Sequence, residues 1–175
     1  AYLFCGPRGV GKTTCARILA REVNEFEADE SGDMSTSLNI FELDAASNNS
    51  VDDIRSLVDQ VRIPPQYGKY KVYIIDEVHM LSSQAFNAFL KPLDEPPPYA
   101  IFILATTEKH KILPTIISRC QIFDFNRITV EDITKHLAAI CKKEMITAEE
   151  DALHIIAQKS DGALRDALSM LDRLV

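Results

Sequence analysis

No apolar run in this 175-residue sequence approaches the ~18 residues needed to cross a bilayer, so no membrane-spanning helix is expected within it. No signal peptide is visible either, so a cytoplasmic location and no membrane partner are expected. Metal and disulfide chemistry is poorly supplied. The four cysteines, Cys5, Cys15, Cys120 and Cys141, form no CxxC pair and read as reduced, mostly buried thiols. His79, His110, His136 and His154 have no ligand spacing and are expected in surface or packing roles. A net positive charge is missing as well. The formal charge is −7, and residues 22–60 concentrate eleven acids against one base, Arg55. Attraction of the whole chain to nucleic acid is therefore not supported, and any DNA contact has to come from a local basic surface or from an assembly of several chains. There is no internal repeat and no initiator methionine. The chain opens on an apolar strand at Ala1, and a helical period runs to the final Val175, so it is expected to be part of a longer protein.

What is present has the balance of a globular domain, with 46% hydrophobic and 26% charged residues. Short apolar runs at Tyr2–Cys5, Ile40–Leu43, Val72–Ile75, Ile101–Ala105 and Ile122–Phe125 predict strands buried on both faces, as in a parallel sheet. Helical patterns alternate with them. One starts near Gly11 and carries Cys15, Leu19 and Val23. A second is capped by Ser50 with Asp53 completing a capping box, and a third follows Ser82, with Phe86 and Phe89 as core residues. Alternation of this kind argues an α/β fold with right-handed crossovers. After Arg127 the pattern becomes all-helical. Thr129 with Asp132 and Thr147 with Glu150 read as two capping boxes, and Gly162 separates their helices from a last one. The expected organisation is a core over residues 1–126 and a partial three-helix module over residues 127–175. The stretch Glu25–Asn39 is acidic and polar and is expected to be a loop, and Pro64-Pro65 and Pro96-Pro97-Pro98 are expected to be rigid turns before strands.

Gly6-Pro7-Arg8-Gly9-Val10-Gly11-Lys12-Thr13 fits G-x-x-x-x-G-K-[ST] between a strand and a helix, the context that motif requires. Glycines let backbone N–H groups curl around phosphate, and the helix N-terminus adds partial positive charge. Lys12 is expected to reach the β- and γ-phosphates of ATP, and Thr13, followed by Thr14, to offer its hydroxyl to Mg²⁺. Val72-Tyr73-Ile74-Ile75-Asp76-Glu77 supplies a buried strand with two carboxylates at its C-terminal end, where ligands of open parallel sheets bind. Asp76 is expected to hold Mg²⁺, and Glu77 to orient and deprotonate an attacking water. Val78 and His79 extend this to a four-letter match with a helicase box, but the chain has no room for the second motor domain such helicases need. Thr106, at the end of a further strand, is a candidate sensor of the γ-phosphate or the lytic water. The basic loop Lys109-His110-Lys111 reads as a solvated loop.

Those motifs, with Glu42-Leu43-Asp44-Ala45-Ala46-Ser47, Leu104-Ala105-Thr106-Thr107 and Ser118-Arg119-Cys120, resemble the AAA+ clamp-loader ATPases over nearly the whole chain. The resemblance implies a P-loop AAA+ core with a five-stranded parallel sheet flanked by helices, and part of a small helical lid. It implies ATP and Mg²⁺ as ligands, and a ring of clamp-loader subunits, a sliding clamp and primer–template DNA as partners. It also implies that Arg119 is an arginine finger acting on ATP of the neighbouring subunit, and that Arg165 is a lid residue reaching the γ-phosphate. Without the resemblance, either arginine reads as a solvated surface charge. A non-hydrolysing AAA+ scaffold subunit and another AAA+ motor, such as a branch-migration helicase, are the alternatives. Three departures stand out. The family's four-cysteine zinc module has no counterpart in Glu22–Asn39, so zinc is not expected. The N-terminal segment that helps hold adenine is absent. Pro92 stands inside a predicted helix and is expected to kink or end it.

Overall fold

The computed structural model describes residues 1–24, 39–48, 50–66 and 68–175, so the predicted acidic loop lies, except for Asn39, outside the described residues. The described chain forms two compact units. One comprises Ala1–Cys5 and Thr13–Asp124, the other Gly6–Lys12 and Phe125–Val175.

The first unit is built on five parallel strands: β1 (Tyr2–Cys5), β2 (Ile40–Asp44), β3 (Lys71–Asp76), β4 (Ala100–Thr106) and β5 (Gln121–Asp124). Their order in the sheet is β2-β3-β4-β1-β5. Because all run the same way, the C-terminal ends of β1, β3 and β4 share one edge, with Cys5 level with Thr106 and Asp44 level with Asp76. The apolar runs of β1, β3 and β4 are buried on both faces, as expected of inner parallel strands. The outer strands differ from that expectation. β2 alternates intermediate and exposed residues, and β5 is mostly exposed, because among the described residues each is hydrogen-bonded on one side only. β5 also stops at Asp124, one residue before the predicted Phe125.

Helices α1 (Lys12–Glu22), α2 (Val51–Val61), α3 (Ser83–Asp94) and the short α4 (Pro114–Ile117) connect the strands. Ser50 caps α2: its hydroxyl accepts the Asp53 N–H at 3.2 Å and donates to the Asp53 carboxylate at 2.6 Å. The carboxylate thus bonds the cap's hydroxyl rather than closing onto its backbone. Ser82 caps α3 in the same position, accepting from the Ala85 N–H. Helix α3 lays Ala85, Phe86, Phe89 and Leu93 into a core with Tyr73, Phe102, Leu104 and Ile116. Tyr73 stacks between Phe41 and Phe102, and Phe89 meets Phe102 edge-on at 5.1 Å. Each such fully buried apolar side chain contributes about 1.5–3 kcal/mol. The helix runs through Pro92 for two further residues before ending at Asp94. Proline so near the C-terminus removes one hydrogen bond, to the Ala88 carbonyl, and its buried ring is retained in the core.

Among the cysteines, Cys5 and Cys141 are buried and Cys120 is half-buried, but Cys15 is exposed. Its period-matched position on α1 therefore does not place it in the core. The second unit contains α5 (Val130–Lys143), α6 (Glu150–Lys159) and α7 (Leu164–Leu174), packed through Ile133, Leu137, Cys141, Leu153, Ile156, Ala157, Ala167 and Leu171. Thr129 caps α5 as predicted, accepting the Asp132 N–H at 3.1 Å. The second predicted box is not formed. Helix α6 starts at Glu150 with Glu149 at the cap, so Glu150 is the first helical residue rather than the third, out of reach of a box with Thr147. No helix among the described residues is long and apolar enough to cross a membrane.

Candidate functional site

Strand β3 delivers two carboxylates to the C-terminal edge of the sheet. Asp76 ends the strand, and both its oxygens are engaged. The Thr13 hydroxyl donates to Oδ2 at 2.6 Å, and the Glu77 N–H donates to Oδ1 at 2.9 Å. Glu77 itself adopts a left-handed backbone, φ 47° and ψ 42°, before the 3₁₀ turn Val78–Met80. For a residue with a Cβ this conformation costs roughly 1–2 kcal/mol, and such strain collects at functional sites. The Glu77 carboxylate accepts from the Thr107 hydroxyl at 3.0 Å and the Thr107 N–H at 3.3 Å, both at Oε2.

Thr106, the candidate sensor, is fully buried at the end of β4. Its hydroxyl accepts the Glu108 N–H at 3.0 Å and lies 3.0 Å from His79 Nδ1. The His79 side chain is only 5% exposed. Its Nδ1 is 3.4 Å from Glu77 Oε2 and its Nε2 3.3 Å from Glu108 Oε1. Lys111, bonded to Glu108 at 2.8 Å, holds that carboxyl below its ordinary range, with smaller contributions from His79 and His110. Thr13, Asp76, Glu77 and Thr106 are thus brought together with three residues to which the motif reading gave no site role: His79, Thr107 and Glu108. The only hints were the His that completes Asp-Glu-Val-His and the second Thr of the Thr106-Thr107 pair. Histidine spacing carries no information here, because the partners come from two different strands.

The phosphate-loop motif Gly6–Lys12 belongs to the other unit. Gly6 has φ 152°, and a Cβ there would run into the carbonyl and side chain of Phe125. Gly9 has φ 76°, and a Cβ would come within 2.9 Å of the Ala163 Cβ. The Gly9 carbonyl accepts the Arg165 N–H at 3.4 Å, so the start of α7 lies directly on this loop. Lys12 is buried, and its ammonium donates to the Gly6 and Pro7 carbonyls at 2.8 and 2.7 Å. Val10 is buried while Arg8, Thr14 and Arg165 are exposed, and Pro7 and Gly11 are half-buried. The peptide bond from Lys12 to Thr13 joins the loop to the residue that bonds Asp76.

A hydroxyl and a carboxylate at 2.6 Å are hard oxygen donors of the kind Mg²⁺ takes when phosphate and water fill its other positions, so Thr13 and Asp76 fit that ion. Among the described residues, no group of three or more His, Cys, Asp and Glu is arranged to hold a metal by itself. Arg119 follows α4. Its Nε bonds the Asp94 carboxylate and its Nη1 donates to the Thr115 carbonyl at 2.5 Å. The ion pair with Asp94 holds the guanidinium above its ordinary pKa.

Comparisons with known proteins identify the family of the chain. Residues 1–129 match the family model described as DNA polymerase III, delta subunit, and residues 132–175 match the DNA polymerase III clamp loader subunit, ATPase lid domain. The chain is 52% identical to DNA polymerase III subunit tau of Bacillus subtilis, over all of this chain and 33% of that protein. It is 48% identical to subunit gamma/tau of Mycoplasma genitalium, over 99% of this chain and 31% of that protein, and 44% identical to subunit tau of Escherichia coli, over all of this chain and 29% of that protein. It therefore spans about a third of the length of these curated relatives. Among solved structures, a gamma-subunit-related protein of Thermotoga maritima aligns with a TM-score of 0.65 at 27% identity, covering 92% of this chain and 53% of that one. The RuvB branch-migration motor of Thermotoga maritima aligns with a TM-score of 0.74 at 22% identity, covering 98% of this chain and 53% of that one, a likeness of fold. The two family models and the identity over the whole chain place it, by descent as well as by fold, in one group: the chain belongs to the gamma/tau family of DNA polymerase III clamp-loader subunits, with an AAA+ core and an ATPase lid.

Proposed function

We propose that this chain is the ATP-binding and ATP-hydrolysing motor portion of a clamp-loader subunit, acting in the cytoplasm to load a sliding clamp onto primed DNA. The observation that carries the reading is the disposition of Asp76 and Glu77. One is bonded to the hydroxyl of Thr13, which directly follows the phosphate loop, and the other, on a left-handed backbone, is held by Thr107. The core is read as residues 1–126 and the lid as residues 127–175.

In this reading the amides of Gly6, Pro7, Arg8, Gly9, Val10, Gly11, Lys12, Thr13 and Thr14 cradle the triphosphate. Lys12 exchanges its two carbonyl acceptors for phosphate oxygens, a step favoured because charge-assisted bonds to an anion are stronger than those to neutral carbonyls. Thr13 and Asp76 would hold Mg²⁺, which would supply neutralisation of phosphate charge. Glu77 orients the lytic water and takes its proton, which requires its carboxylate to give up at least part of its bonding to Thr107. Thr106 acts as sensor through the network it shares with Glu108 and His79. Arg165 follows from the lid, and Arg119 acts in trans on ATP held by an adjoining subunit. The partners are the other clamp-loader subunits, the clamp, and primer–template DNA reached through the assembly.

Glu77→Gln in the full-length chain, assembled with its clamp-loader partners, is expected to leave ATP binding intact and to abolish steady-state turnover. Turnover at the unsubstituted rate would remove Glu77 from the chemistry and the hydrolytic reading with it. A scaffold that binds without hydrolysing has no need of Lys12, Thr13, Asp76 and Glu77 together, which is why the hydrolytic reading is preferred.

A further inference from the structure

His79, with a side chain only 5% exposed, lies beside Glu77, and the chemistry above gives it no direct part. Its ring bridges two strand ends. On the Nδ1 side it meets the Thr106 hydroxyl at 3.0 Å and Glu77 Oε2 at 3.4 Å, and on the Nε2 side it meets Glu108 Oε1 at 3.3 Å. The three partners are themselves linked. Thr106 accepts the Glu108 N–H, and Thr107, next in the chain, donates twice to the same Glu77 oxygen that His79 approaches.

A glutamate side chain has three rotatable bonds, and holding it in one rotamer carries an entropy cost that specific contacts have to offset. Glu77 starts from a strained backbone beyond the end of β3, where the sheet no longer guides it. Its orientation is therefore set by what its carboxylate touches. Thr107 supplies two of those contacts. Thr107 is in turn spanned by the bond from the Glu108 N–H to the Thr106 hydroxyl, an oxygen that also meets the His79 Nδ1. A side chain 5% exposed has little water to replace it if the ring is removed. An apolar residue of similar volume would pack equally well and would leave the Thr106 hydroxyl with one partner fewer.

We propose that His79 is a positioning residue for Glu77. Through Nδ1 it keeps the Thr106–Thr107 peptide and the Glu77 carboxylate in register, and through Nε2 it is anchored to Glu108. It touches neither the nucleotide nor the attacking water. The inference rests on the reading of Glu77 as the base, and its test separates the two.

The full-length chain carrying His79→Leu, His79→Asn or His79→Gln is assembled with its clamp-loader partners. ATP turnover is measured with clamp and primed DNA, beside equilibrium binding of a non-hydrolysable ATP analogue. Asparagine places an amide near the position of Nδ1, and glutamine places one near Nε2. With leucine, kcat is expected to fall about 10- to 100-fold, the scale of a misplaced catalytic group, while analogue affinity is retained. Asparagine is expected to keep most of kcat, and glutamine to resemble leucine. Wild-type kcat in the leucine variant, a loss confined to KM, or equal behaviour of the asparagine and glutamine variants would overturn the proposal. If leucine disrupts folding and analogue binding is lost, the asparagine–glutamine difference decides. Glu77→Gln is run in parallel. If it turns over normally, the reading of Glu77 has failed; if it is dead while His79→Leu is fully active, only the role of His79 has failed.

Discussion

Tyr73 is fully buried at the centre of the three-ring stack with Phe41 and Phe102, and its hydroxyl has no hydrogen-bond partner among the described residues. Burial pushes its pKa up to about 12 from an ordinary 10.0. A buried hydroxyl left unpaired costs about 1–3 kcal/mol, so Tyr73→Phe, which keeps the stacking, is expected to leave the fold at least as stable and to gain up to about 1 kcal/mol. Because the folded-state value is raised, the contribution of the neutral phenol is complete below pH 10 and is lost as pH rises towards about 12. Denaturant titrations of both forms at neutral pH and above pH 10 check this: the advantage of the phenylalanine form should widen at alkaline pH. At the same scale, Glu77 and Lys12 are each held by bonds that the proposed reaction must release, the first to Thr107 and the second to the loop's own carbonyls. Their residue types were readable from the motifs. Their resting partners were not, because Thr107 lies thirty positions along the chain from Glu77.

At the scale of elements, helix starts were the most legible features and also supplied a clear miss. Ser50, Ser82 and Thr129 all cap the helices their sequence positions suggest. Thr147 and Glu150 have the same spacing and do not, since α6 begins at Glu150 behind Glu149. Spacing alone cannot choose between adjacent starts, and the choice falls to where Leu153, Ile156 and Ala157 meet the rest of the lid core. Thr129→Ala is accordingly expected to destabilise the lid by about 1 kcal/mol, and Thr147→Ala to change it by less than about 0.5 kcal/mol. Thermal unfolding of the two variants side by side measures the difference, and equal losses would contradict the assigned cap. Pro92 shows the same kind of tertiary choice. Its ring is buried in α3, and the helix runs on past the one bond that proline cannot donate, to the Ala88 carbonyl.

For the whole molecule, the sheet order β2-β3-β4-β1-β5 decides which residues can cooperate. It sets β4 between β1 and β3, so that the Thr106 end stands beside both the strand that leads into the phosphate loop and the strand that carries Asp76. Two expectations belong to this scale because they need the assembled complex. Arg119→Ala should leave the nucleotide affinity of the isolated full-length chain unchanged and slow hydrolysis in the ring by about 10³- to 10⁵-fold, the span measured for arginine fingers. Loss of nucleotide binding by the isolated variant would place the arginine elsewhere. ATPase activity of the complex should also rise with clamp and primed DNA together and not with DNA alone, whereas equal stimulation by DNA alone would favour a DNA motor of another kind. The sequence by itself determined the alternation of strands and helices, the phosphate loop and the paired acids, because each is written in contiguous residues whose local chemistry suffices. Only the tertiary structure decided that His79, Thr107 and Glu108 join Glu77, that β2 and β5 are exposed edges, and that Gly9 must be bare to receive Ala163. Those facts depend on which strand ends and which loop are laid side by side, and no contiguous stretch of chain contains that information.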